Sequence, residues 1–91
     1  MRLDKFLKVA RLAKRRAEAK DALEAGRVHK GGRPVKPGYE VKPGDVFEIH
    51  YVRKTLTVRV VSVPARIMPG LKPLDLYEIV DERKEDPIEW L

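Results

Sequence analysis

Lys14-Arg15-Arg16 stands just before Ala17 to Ala25, a run of Ala, Glu and Lys with the composition of a helix. Ser, Thr, Asp or Asn is the usual residue at a helix start. A cation there opposes the positive end of the helix dipole by about 0.3–1 kcal/mol. Local stability is therefore given up at these positions. What they offer is anion binding: exposed backbone N–H groups and two guanidinium groups can hold RNA phosphates, and Arg planes stack on bases. The plain structural alternative is that Arg15 and Arg16 point to solvent, with Glu18 in partial compensation.

Asp4 lies on the side of the preceding helical stretch that also presents Lys8 and Arg11. In a first helical turn an acid favours the dipole and can pair with Lys8 at i+4. It can equally orient a neighbouring arginine or accept a hydrogen bond from a ribose 2′-OH or a base edge. Lys20, Arg27, Lys30 and Arg33 continue the cationic series. Phe6 is the one aromatic residue in this basic third and falls on an apolar face, so folded RNA read by shape and phosphate position is expected rather than stacked single strands.

Catalysis finds little support. His29 and His50 have no partner at metal-ligand spacing, the glycines follow turn logic, and there is neither a P-loop nor a dinucleotide fingerprint. No catalytic residue, metal or cofactor is expected, and the protein is read as a non-enzyme. Without cysteine there is no disulfide framework and no thiolate metal site.

The elements that must position the cations follow from periodicity. Leu3, Phe6, Leu7 and Ala10 recur at helical spacing from Arg2 to Leu12, with Leu12 off the stripe. Ala17 to Ala25 gives a second helix, ended by Gly26 as its C′ residue, so a helical hairpin turns near Ala13 and Lys14. The grammar then becomes β. Val28 and Val35 flank a Gly31-Gly32 turn, Lys42-Pro43-Gly44-Asp45 is another turn, and Val46 to Val52 alternates apolar and polar residues. After a reversal at Arg53-Lys54, Thr55 to Val63 is β-branched and should pair antiparallel with it. Pro64 to Pro73 reads as an exposed loop before a short strand near Leu76 to Val80, and an acidic tail from Asp81 is expected to fray. The predicted core comprises Leu3, Phe6, Leu7, Ala10, Ala19, Ala22, Leu23, Val28, Val41, Phe47, Ile49, Leu56 and Val58.

A chain of 91 residues has room for one thin core and one working surface. Its net charge of +6 is uneven. Met1 to Lys36 carries twelve Lys/Arg against four Asp/Glu, a balance of +8, and Pro37 to Leu91 carries eight against ten, a balance of −2. Cations gathered in one third of a chain suit a polyanion-binding face, because each neutralised phosphate releases counterions. No apolar run approaches the roughly 20 residues of a membrane span, and the N-terminal stretch is not patterned as a signal peptide, so a cytoplasmic protein is expected.

Arg2-Leu3-Asp4-Lys5-Phe6-Leu7, Arg11-Leu12-Ala13-Lys14-Arg15-Arg16, Ala19-Lys20, Gly26-Arg27-Val28 and Val41-Lys42-Pro43-Gly44-Asp45 together resemble the S4-type RNA-binding domain. The resemblance covers about the first half closely. It implies an α+β fold of the S4 (alpha-L) type, a helical hairpin packed on a small, twisted, mainly antiparallel sheet. One domain over 1–80 and an acidic C-terminal tail over 81–91 are expected. RNA-contacting positions carried over from the family fall on Arg2, Asp4, Lys8, Arg11, Lys14, Arg15, Arg16 and Lys20. The S4-type pattern often has Ser at the place of Arg15 and Asn at that of Gly31.

Among stand-alone family members, the double arginine and the short strand-rich second half look most like a ribosome-associated quality-control factor related to the small ribosome-binding heat-shock proteins. The basic extension of the latter is replaced here by the acidic tail. This likeness implies binding of large-subunit ribosomal RNA and P-site tRNA on obstructed subunits, beside a factor that tails the stalled nascent chain. A monomer is expected. The alternative is an RNA-binding accessory subunit or regulator acting with a separate RNA-modifying enzyme. A helix-turn-helix DNA reader is disfavoured because Ala17 to Ala25 offers no Asn or Gln.

Overall fold

Two helices lead and five strands follow. The computed structural model describes residues 1–84. In order these are α1 (Leu3–Val9), α2 (Arg16–Glu24), β1 (Val28–Lys30), β2 (Arg33–Pro34), β3 (Val46–His50), β4 (Lys54–Val60), a 3₁₀ turn (Pro73–Asp75) and β5 (Tyr77–Lys84). The strands form one antiparallel sheet in the order β2-β1-β3-β4-β5. This is the expected α+β architecture. Leu3, Phe6, Leu7 and Ala10 of the first helical stretch and Ala19 and Leu23 of α2 share one core with Val28, Phe47, Ile49, Leu56 and Val58. Burial of a side chain the size of Phe6 or Leu3 contributes about 1.5–3 kcal/mol. Alternate residues such as Glu48 and Thr57 point to the other face, so the sheet is covered on one side.

Both helices end in the same hydrogen-bonded pattern. After α1, Arg11 N–H donates to the Lys8 carbonyl (3.0 Å) and Leu12 N–H to that of Leu7 (2.9 Å). After α2, Gly26 N–H donates to Leu23 (3.1 Å) and Arg27 N–H to Ala22 (2.9 Å). These are Schellman caps, which put one residue in the left-handed region: Gly26 at φ 74° and Arg11 at φ 58°. The cap stops α1 at Val9, short of the Leu12 that periodicity suggested, and makes Ala10 to Arg15 the hairpin connection. That connection is tied to the sheet by Tyr51, whose hydroxyl donates to the Leu12 carbonyl at 2.7 Å.

The predicted core residues are buried apart from Ala22, which is half-buried, and Val35, Val60 and Leu76 join them. The paired glycines turn β1 into β2 with φ of 60° and 79°. β3 stops at His50 and β4 at Val60, earlier than their apolar patterns suggested.

The last strand departs most from expectation. It runs to Lys84, four residues into the stretch expected to fray, with Leu56 opposite Glu82 and Lys54 opposite Lys84. Backbone pairing and cross-strand charge hold it: Lys54 lies 3.5 Å from Glu82, and Arg83 lies 3.8 Å from Glu48. A register shift at Thr57/Val58 leaves Val80 as an extra residue in β5. The rest of the acidic stretch, 85–89, falls outside the described residues.

Candidate RNA-binding site

Asp4 is the pivot of the basic hairpin. Its side chain is 4% exposed, accepts the Lys5 backbone N–H at 2.8 Å, and faces two guanidinium groups: Arg2 at 3.3 Å and Arg16 at 3.4 Å. Burial alone would raise the Asp4 pKa. The Lys5 N–H, the hydrogen bond and charge of Arg16 and the charge of Arg2 outweigh it, so the carboxyl sits below its ordinary value of 3.8. Of the roles open to Asp4, the geometry realises the orienting one, with Arg2 and Arg16 as partners instead of Lys8. Each arginine keeps about half of its side chain in solvent, so donors not engaged by Asp4 remain available to a phosphate.

The start of α2 is as unusual as its sequence suggested. Arg15 is the N-cap residue in extended conformation and makes no side-chain cap hydrogen bond. Its side chain is exposed and has no polar partner among the described residues, whereas Arg16, one residue on, turns back to Asp4. Glu18 supplies the acid of the first turn. Arg11 adds a second local cost, because a residue with a Cβ in the left-handed region is disfavoured by about 1–2 kcal/mol.

Three surface depressions gather the remaining cations. Lys8, Arg11 and Lys14 line one of about 500 Å³, and the proline-rich loop closes its far side with Ile67, Met68 and Leu71. Arg2, Lys20 and Lys30 line a second of about 750 Å³, together with Lys36 and Tyr39. Arg11 and Lys14 reach a third of about 730 Å³, shared with Arg27, Lys54 and Tyr51. Arg33 is exposed on β2 and borders none of them. Lys20 also pairs loosely with Glu24 at 3.9 Å.

Sequence reasoning missed Lys36, Tyr39, Lys54 and the loop residues at these rims. Tyr39 lies just past the basic third, and its ring carries Lys30 Nζ 5.9 Å from the centroid. Its hydroxyl donates to Asp45 at 3.1 Å, and burial together with that acid pushes its pKa up. Lys54 and Ile67 arrive from chain segments distant in sequence, and no local pattern links them to the hairpin. His29 and His50, partnerless by spacing, meet across β1 and β3 with their ring centroids 5.0 Å apart.

A family profile described as "S4 domain" matches residues 1–47. The protein called RQC P-site tRNA stabilizing factor in Halalkalibacterium halodurans is 43% identical over 88 residues, spanning 97% of this chain and 96% of its own. Its namesake in Bacillus subtilis is 48% identical over 84 residues, 92% of this chain and 96% of its own. Among solved structures, the trimeric Heat Shock Protein 15 of Vibrio cholerae superposes with a TM-score of 0.79 at 28% identity, covering 88% of this chain and 81% of that one.

Proposed function

Because this chain belongs to the S4 domain family, we propose that it is an RNA-binding protein of ribosome-associated quality control, one that stabilises P-site tRNA on obstructed large ribosomal subunits. Its near-complete, end-to-end match to relatives bearing that functional name supports the target. The observation that carries the binding mode is the pair Arg2 and Arg16 held on the buried carboxylate of Asp4, beside an exposed Arg15 that makes no cap hydrogen bond. Guanidinium groups fixed before binding lose little further freedom when they engage a phosphate.

The domain expected over 1–80 acts as one binding unit, with 81–91 as its acidic tail. Arg2, Lys8, Arg11, Lys14, Arg15, Arg16, Lys20, Arg27, Lys30 and Arg33 neutralise phosphates of ribosomal RNA and tRNA, while Asp4 orients two of them. No chemical step is assigned to it: it acts by binding, as a monomer, beside a separate factor that extends the stalled chain. Its compartment is the cytoplasm, where its ribosomal target resides, and no helix among the described residues is long and apolar enough to cross a membrane.

Sedimentation of cell extract on a sucrose gradient tests this reading, with the wild type followed beside an Arg15→Ala/Arg16→Ala variant. Wild type in the free large-subunit fractions together with tRNA, and the variant at the top, is the expected result. Wild type at the top would remove the ribosomal target.

A further inference from the structure

His29 of β1 stands directly opposite Glu48 of β3, and His50 lies two residues further along β3. Their neighbours Val28, Phe47 and Ile49 are buried in the core, so strand alternation puts all three polar side chains on the face turned away from the helices. One ring nitrogen from each histidine and a carboxylate oxygen of Glu48 lie within 4.8 Å of one another.

The surroundings fix how these groups present themselves. His29 Nε2 is 2.9 Å from the Gly26 carbonyl, which can only accept, so Nε2 carries the proton and the lone pair stays on Nδ1. His50 Nδ1 is 3.3 Å from the Thr55 hydroxyl. That hydroxyl can accept as well as donate, and in the tautomer with the proton on Nδ1 the lone pair is on Nε2. His50 Nε2 is shielded from solvent and meets no hydrogen-bond geometry among the described residues, while Glu48 Oε1 lies 2.9 Å away at ion-pair distance. A cation seated between His50 Nε2 and Glu48 Oε1 would satisfy both atoms at once. Histidines that bind metals characteristically donate their other N–H to an oxygen in this way.

We propose that His29, Glu48 and His50 hold a divalent transition-metal ion of the zinc type, with solvent completing the coordination. Two imidazoles and a carboxylate suit Zn²⁺, Co²⁺ or Ni²⁺ better than Mg²⁺ or Ca²⁺, which prefer oxygen. Around a tetrahedral ion the ligand atoms stand roughly 3.3 Å apart, so the site closes by about an ångström or less per side chain. Glu48 and His50 are over a third exposed and free to make that adjustment. Arg83, 3.8 Å from Glu48, is a cation that opposes the ion. Once bound, the ion would clasp the three-residue β1 to β3 on the face opposite the hairpin.

Titration of the tag-free full chain with Zn²⁺, and with Co²⁺ followed by its visible absorption, tests the proposal. One equivalent should bind, with the thermal midpoint rising as Zn²⁺ is added. His29→Ala and His50→Ala should each weaken binding by at least about tenfold, Thr55→Val by roughly tenfold, and Arg83→Ala should tighten it. Circular dichroism of the apo variants confirms that they fold. Failure of the wild type to take up either metal, or undiminished uptake by a His29→Ala/His50→Ala variant, overturns the site. RNA binding through the hairpin does not depend on the outcome.

Discussion

Arg11 occupies after the first helix the position that Gly26 occupies after the second. Both close a Schellman cap, both have positive φ, and both donate to the carbonyl three residues back. Glycine takes that conformation without penalty and arginine does not. Arg11 borders two of the three cationic depressions, so the strained residue stands at the cationic surface.

Replacing Arg11 with glycine should therefore separate stability from binding. Relief of left-handed strain, reduced by the added freedom of the unfolded chain, leaves a gain of about 0.5–1 kcal/mol. For a domain of this size that raises the melting midpoint by roughly 2–8 °C. RNA affinity should fall, and the dependence of log K on log salt should become shallower by about 0.7–0.9 if one phosphate contact is lost. Calorimetry and a salt series of filter binding measure the two effects; a variant less stable than wild type would contradict the strain argument.

Arg15→Ser should behave in the same sense at the other end of the connection. Serine supplies the side-chain acceptor that the α2 N-cap lacks and removes a cation from the positive end of the dipole, a gain of about 1 kcal/mol. Because Arg15 has no polar partner among the described residues, a drop in tRNA or ribosomal RNA affinity without loss of stability would mark it as a ligand contact. Unchanged affinity would remove it from the interface.

Acid stability should report Asp4. Its folded pKa lies below 3.8, so the unfolded chain binds the proton more readily. The stabilisation is present above the unfolded value and is lost as pH falls through the folded one. Asp4→Asn should cost about 1–3 kcal/mol at neutral pH and flatten that acid limb, as read from urea midpoints across pH 2 to 6. Weaker RNA binding should accompany it through the freed Arg2 and Arg16.

Tyr51 sets the alkaline limb. Burial, with a smaller effect of Tyr77, pushes its pKa up to about 12 from an ordinary 10.0. The unfolded chain ionises first, so this stabilisation is full below pH 10 and disappears toward 12. Tyr51→Phe loses the hydrogen bond to Leu12, should cost about 1 kcal/mol, and should make alkaline unfolding less steep. Spectrophotometric titration of the tyrosines checks the assignment.

The helical hairpin and β3–β4 were legible because their signals are local. Leu3, Phe6 and Leu7 recur at helical spacing, and Phe47 and Ile49 alternate on a strand that is wet on one face. Gly26 marked the end of α2, but Arg11 hid the end of α1, because an arginine does not advertise a positive φ. β5 was cut short for a different reason. Its outer half lies opposite Lys54, Thr55 and Leu56, bonded through backbone and charge, and buries no apolar residue that would show a period of two. The cations of the site were named from charge and resemblance, but the buried ion-pair geometry of Asp4 depends on Arg16 twelve residues away, and Lys54 and Met68 reach the rims only through the fold.

The same β5 forms one margin of the sheet, eight residues long, with no strand beyond it among the described residues and with Ile79 and Val80 about half exposed. Such a margin is a template on which a second chain could add a strand and seed insoluble polymer. Glu78, Asp81, Glu82, Arg83 and Lys84 punctuate it with alternating blocks of charge, and the extra residue at Val80 breaks its straightness. These charges guard the edge as well as pairing across it, and neutralising several of them together should promote polymer before it impairs the hairpin.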